Sequence, residues 1–150
     1  MSEQWYFAYG SNLLREQMVK RTKENGEARR ARLDGYRLVF NKQGGDGTGK
    51  ANIIPDHGGT VWGAVYRCSP NALNDLDRCE GVSGGHYTRK KVRVRVDSGE
   101  AVEAIAYMAG NQFINNELRP SQEYLEIILR GAREHDLPDE YIRRLEMWGN

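Results

Sequence analysis

The chain has 150 residues, 39% hydrophobic and 29% charged, the composition of one folded domain spanning 1–150 and not of a disordered chain. Lys+Arg 22 against Asp+Glu 21 leaves a formal charge of +1, so no whole-molecule field draws in nucleic acid or an anionic membrane. The longest apolar run, Ala104 to Ala109, is far short of the ~20 residues a membrane span needs, and Met1-Ser2-Glu3-Gln4 lacks the basic start of a secretory signal, so a cytoplasmic protein is expected.

Trp5 to Tyr9 is an apolar-aromatic run closed by Gly10 and reads as a buried strand. Asn12 is in position to cap a helix carrying Leu14 and Met18 on one face, and Glu24-Asn25-Gly26 ends it in a turn. Ala28 to Leu33 and Tyr36 to Asn41 read as strand segments around a kink at Asp34-Gly35. Lys42 to Lys50 reads as a glycine-rich loop. Ala51 to Ile54 reads as a short strand stopped by Pro55, and Thr60 to Arg67 as the next strand beyond the His57-Gly58-Gly59 turn.

Ser69-Pro70 supplies a cap and a first-turn proline for a helix whose inner face carries Leu73 and Leu76. Lys91 to Val96 alternates strictly, as a half-buried strand does, and Asp97-Ser98-Gly99 turns it into a returning strand over Val102 to Met108. After a loop, Pro120-Ser121 opens the longest helix, with Tyr124, Ile128 and Ala132 along one edge and Leu125 and Leu129 beside them. A last helix follows Asp136-Leu137-Pro138. Strands dominate, with helices inserted out of any regular β-α-β alternation. The fold class is therefore α+β: a curved or closed mixed β-sheet, a small barrel, with helices packed outside.

Several patterns imitate chemistry without its context. Gly44 to Lys50 fits the phosphate-loop spacing, but Ala51 stands where Ser or Thr is needed and a strand follows instead of a helix. Ser11 follows a strand, yet the flanking glycines of a nucleophile elbow are missing. Arg93 and Arg95 lie on one strand face with no interleaved aromatic residues to stack bases. Cys68 and Cys79 are outside any C-x-x-C spacing, and His57, His86 and His135 are scattered, so no built-in metal site is expected.

Two features do point to a site. Tyr9-Gly10-Ser11-Asn12 is a strand-to-helix turn, which aims backbone N–H groups outward where anions bind. Glu80 ends the Ser69–Cys79 helix, where the macrodipole, the nearby Asp75 and Asp77 and any burial push a carboxyl upward toward the range of a general base.

Phe7-Ala8-Tyr9-Gly10-Ser11-Asn12-Leu13-Leu14 resembles the signature loop of the γ-glutamylcyclotransferase-like (AIG2-like) family. Val61 to Tyr66 is similar to that family's next central strand. Leu76-Asp77-Arg78-Cys79-Glu80-Gly81-Val82 resembles the segment carrying its catalytic glutamate, with Gly85-His86-Tyr87 following at the family's spacing. Pro120 to Tyr124 and Gly131 to Pro138 resemble its C-terminal helix and the step after it. Ser11-Asn12, in place of the Tyr-Gly-Thr-Leu loop of the branch acting on γ-glutamylamines, points to the branch acting on γ-glutamyl amino acids.

The resemblance implies a cofactor-independent cyclisation. The substrate's α-amine attacks its own γ-carbonyl, giving 5-oxoproline and a released amine. On this reading Glu80 carries the proton from the attacking to the leaving nitrogen. The substrate-binding residues are Tyr9, Gly10, Ser11, Asn12, Leu13, Leu14, Tyr87 and Tyr124. The backbone N–H groups of Gly10 to Leu13 hold a negative oxygen, either the developing oxyanion or the α-carboxylate. Tyr124 hydrogen-bonds the substrate, and Tyr87 walls the pocket. The partner is a small γ-glutamyl molecule, with no metal and no nucleic acid, and a homodimer is compatible. Two other readings remain: removal of a γ-glutamyl protecting group from a secondary-metabolite amine, and a non-catalytic binding module of the same fold.

Overall fold

A long β-ribbon organises the molecule. The computed structural model describes residues 3–149. In it β2 (Ala28–Gln43) and β3 (Gly49–Cys68) pair antiparallel from Ala28↔Tyr66 out to Gln43↔Gly49, with register shifts between Asp34 and Tyr36 and between Val39 and Lys42. β1 (Gln4–Ala8) pairs antiparallel with the inner end of β3. β4 (Tyr87–Val96) and β5 (Ala101–Ala109) form a second antiparallel hairpin. β2 meets β4 at Ala31↔Val96, and β1 meets β5 in parallel at Trp5↔Ala104, which closes a five-stranded barrel in the order β1-β3-β2-β4-β5. The expected small mixed barrel is the fold observed.

Among the described residues four α-helices pack around it. α1 (Arg15–Thr22) follows a short 3-10 turn over Ser11–Leu13. α2 (Pro70–Cys79) starts as its sequence predicts, with the Ser69 side chain accepting from the Ala72 N–H. α3 (Gln122–Glu134) is capped in the same way by Ser121 and buries Leu125, Ile128, Leu129 and Ala132. α4 (Asp139–Glu146) packs beside α3 and buries Tyr141 and Leu145. Among the described residues no helix is long and apolar enough to cross a membrane.

Two local expectations are corrected. Pro55 does not stop a strand: β3 runs through it, opposite Tyr36. Among the described residues no third strand pairs with β3 there, so Pro55 lies at an open edge of the ribbon, where proline is tolerated. Asn12 does not cap α1, whose cap residue Leu14 makes no side-chain hydrogen bond. Its amide is drawn instead into the polar cluster described next.

Candidate active site

At one end of the barrel the turn after β1, the end of α2, the outer β2–β3 ribbon and the first turns of α3 enclose a cavity of about 430 Å³. Tyr9, Gly10, Ser11, Asn12, Glu80, Tyr87 and Tyr124 all line it. Glu80 reaches it because α2 stops there. Its N–H still bonds Leu76 O at 2.8 Å, and the next residue, Gly81, turns left-handed (φ 63°), folding the chain back so that His86 N–H bonds Gly81 O.

Asn12 links the two halves of the site. Its Nδ2 donates to Tyr6 Oη at 3.0 Å and to Glu80 Oε1 at 3.4 Å, and its Oδ1 accepts from Arg21 Nη1 at 2.8 Å. Burial pushes the Glu80 carboxyl above the usual carboxylate range, while the charges of Arg21 and Lys42 pull it part of the way back. The expected direction holds, and of the causes expected it is burial that acts. Asp75 pairs with Arg78, and Asp77 is held by Arg89 at 2.8 Å and by Tyr107 Oη at 2.6 Å, so neither acid drives the shift.

The turn offers free donors, but fewer than expected. The N–H of Leu13 is taken by Gly10 O at 3.0 Å and that of Leu14 by Ser11 O at 3.3 Å. Both leucines sit in the core beneath the cavity, because their apolar side chains pack inward from the 3-10 turn. Leu13 and Leu14 therefore pack beneath the loop and do not line the cavity. The N–H groups of Gly10, Ser11 and Asn12 have no hydrogen-bond partner among the described residues.

The tyrosines divide by what their hydroxyls already do. Tyr9 Oη donates to Tyr107 O and Tyr87 Oη to Ala51 O, so both serve as walls. Tyr124 Oη instead accepts from the Ala51 N–H at 3.0 Å, which leaves its own proton for a ligand. Burial lifts the Tyr124 hydroxyl to about 12, keeping that proton in place at neutral pH.

The AIG2-like family model matches residues 60–145. A human protein named gamma-glutamylcyclotransferase is 37% identical over 146 residues, 94% of this chain and 76% of that one. A bovine protein of the same name is 36% identical over 145 residues, with 93% and 76% covered. A solved structure described as a gamma-glutamyl cyclotransferase superposes with a TM-score of 0.87 at 35% identity, covering 97% of this chain and 87% of that one. The chain belongs to the γ-glutamylcyclotransferase (AIG2-like) family.

For a member of this enzyme family the cavity holds cations that composition alone does not reveal. Arg21 enters from α1 through Asn12. Lys42 and Lys50 enter from the ribbon, where they are register partners. Lys50 Nζ is 3.4 Å from Asp46 Oδ2 and lies over the Tyr124 ring at 4.5 Å. In the fold Phe40, Asn41 and Lys42 are buried in succession, against the strand's period of two, so the alternation of β2 gives no warning of Lys42. Nothing in the pattern of α1 marks Arg21. Among the described residues no group of three or more His, Cys, Asp or Glu is placed to hold a metal ion, and Cys68 and Cys79 are unpaired thiols.

Asn12→Asp tests the electrostatics. A second carboxylate at the 3.4 Å contact should raise Glu80 further, since like charge disfavours ionisation. We expect the acid limb of a kcat/KM–pH profile to move up by about one pH unit. An unmoved limb would separate that limb from Glu80.

Proposed function

We propose that this protein cyclises γ-glutamyl amino acids to 5-oxoproline with release of the amino acid. The reading is carried by one observation: Glu80 and the Gly10–Asn12 turn, whose amides have no partner among the described residues, line the same cavity, with the Asn12 side chain bonded to the Glu80 carboxyl.

The reaction suits these groups. The attacking amine belongs to the substrate, so folding the glutamyl arm toward its own γ-carbonyl supplies much of the rate through effective molarity. Glu80, ionised, accepts a proton from the α-amine as the new C–N bond forms. The carbonyl oxygen becomes negative in the tetrahedral intermediate. As the old amide C–N bond breaks, the same carboxyl returns its proton to the departing nitrogen. A carboxyl raised by burial serves both steps better than an exposed one, because it is basic enough to accept and acidic enough to give back. The N–H groups of Gly10, Ser11 and Asn12 hold a negative oxygen of the substrate, and Tyr124 donates a further hydrogen bond. The enzyme works in the cytoplasm on a small molecule, a setting that suits two free thiols and a near-neutral charge.

Incubation with γ-glutamyl-L-alanine should release 5-oxoproline and alanine in equal amounts, followed by chromatography. Tight binding of 5-oxoproline with no turnover would favour a non-catalytic binding module instead.

A further inference from the structure

Lys42 is the least expected group in the cavity. It is 6% exposed, yet among the described residues no carboxylate forms an ion pair with it. Its ammonium has three protons to donate. One contact is made, to His86 Nδ1 at 2.8 Å. The surroundings are aromatic faces: Nζ lies 5.1 Å from the Phe113 ring centre and 5.5 Å from that of Tyr87. The position is fixed. His86 stacks on Phe113 at 3.9 Å and lies against Gly81, where even a methyl group would come within 2.9 Å of the imidazole. A buried, positioned cation facing a cavity with donors to spare is a site for an anion.

Resting on the cyclotransferase reading, we infer that Lys42 binds the carboxylate of the leaving amino acid and so selects amino-acid leaving groups over neutral amines. The argument is one of charge count. The turn amides, with Arg21 behind Asn12, form one anion site beside Glu80. Lys42 reaches the cavity from a different element, through His86, and forms a second. A γ-glutamyl amino acid carries two carboxylates, one on each side of the scissile amide. A γ-glutamyl amine carries only one and would leave Lys42 buried with no carboxylate in ion-pair contact, only the charge of Glu80 acting across the cavity, a mismatch that a binding site penalises more than a missing apolar contact.

The test compares γ-glutamyl-L-alanine with γ-glutamyl-isopropylamide, which has nearly the same shape but no second carboxylate. The wild-type protein should favour the first in kcat/KM by about 20-fold, the range of a charge-assisted hydrogen bond. In Lys42→Met that ratio should fall to about 1–3, with most of the change in KM for the alanine substrate. Thermal melting of the variant checks folding, and removing a buried cation should leave Tm unchanged or higher. Equal losses on both substrates would overturn the assignment by placing Lys42 on the glutamyl half or on Glu80. An unchanged ratio would overturn it as well. If the wild-type protein turns over neither substrate, the cyclotransferase reading fails first and this one with it.

Discussion

Glu80→Gln should cost about 10³-fold in kcat while raising thermal stability at neutral pH. The amide keeps the shape of the side chain and an oxygen for the Asn12 Nδ2 contact, but it cannot carry a proton between nitrogens. The stability gain follows from the raised carboxyl. Burial favours its protonated form in the fold, whereas in the unfolded chain it titrates near the usual ~4.3. Below the unfolded value both states are protonated and the wild-type carboxyl costs nothing. As pH climbs through and above the usual carboxylate range, the fold must either retain a proton or bury a charge, and stability is progressively lost. Glutamine escapes that loss. The Tm of Glu80→Gln should match wild type near pH 4 and exceed it by a few degrees at pH 7–8. Retained turnover would remove Glu80 from the proton path. A pH-independent Tm difference would show that its burial is not linked to ionisation.

The barrel and the site were legible to different degrees, for physical reasons. Local rules sufficed where an element carries its own punctuation. Ser69-Pro70 and Ser121 cap α2 and α3, and Lys91 to Val96 alternates outward and inward as β4 does. They failed where the deciding partner is remote. Pro55 looks like a strand stop until its place at an open edge of the ribbon is known. Asn12 looks like a cap until Glu80, 68 residues away, and Arg21 compete for its amide. Glu80 and the Tyr9–Asn12 turn stand out locally, as a carboxylate at a helix end and a strand-to-helix turn, and the family resemblance joins them; the burial of Glu80 belongs to the folded chain alone. Lys42 and Arg21 matter because of what they face across the cavity, which neither composition nor periodicity encodes. Leu13 and Leu14 belong to the signature loop in sequence but not to the cavity in space. Such a loop must hold its free amides rigidly, and its apolar end does that by entering the core.

That rigidity predicts the effect of a substitution that touches no ligand. Gly131, inside α3, is where the helix lies directly on the signature loop. A Cβ there would stand 2.6 Å from Leu13 Cβ, 2.7 Å from Leu14 N and 2.8 Å from the Leu13 carbonyl carbon. Two of these three atoms are backbone, so no rotamer change relieves the overlap. The loop is also pinned beside this point: Leu13 O accepts from Tyr66 Oη at 2.8 Å and lies 2.8 Å from His135 Nε2, while Glu134 Oε2 accepts from Arg15 N–H at 2.9 Å. Gly131→Ala gains about 1 kcal/mol in helix propensity. It must still move either α3 or the loop, at a typical overpacking cost of ~1–3 kcal/mol that a backbone obstacle places at the upper end. The net expectation is a loss of about 1–2 kcal/mol in stability. The displacement falls on the segment that carries the Gly10–Asn12 amides, so kcat/KM should drop about 100-fold, the effect of an ångström-scale misplacement of reacting groups. Glu126→Ala, on the exposed face of the same helix, removes only a 3.7 Å surface pair with Arg133 and should change stability by less than ~0.5 kcal/mol. Chemical denaturation and steady-state kinetics on the two variants measure both quantities. A Gly131→Ala protein as active as the Glu126→Ala one would mean that the loop amides do not depend on α3 for their position.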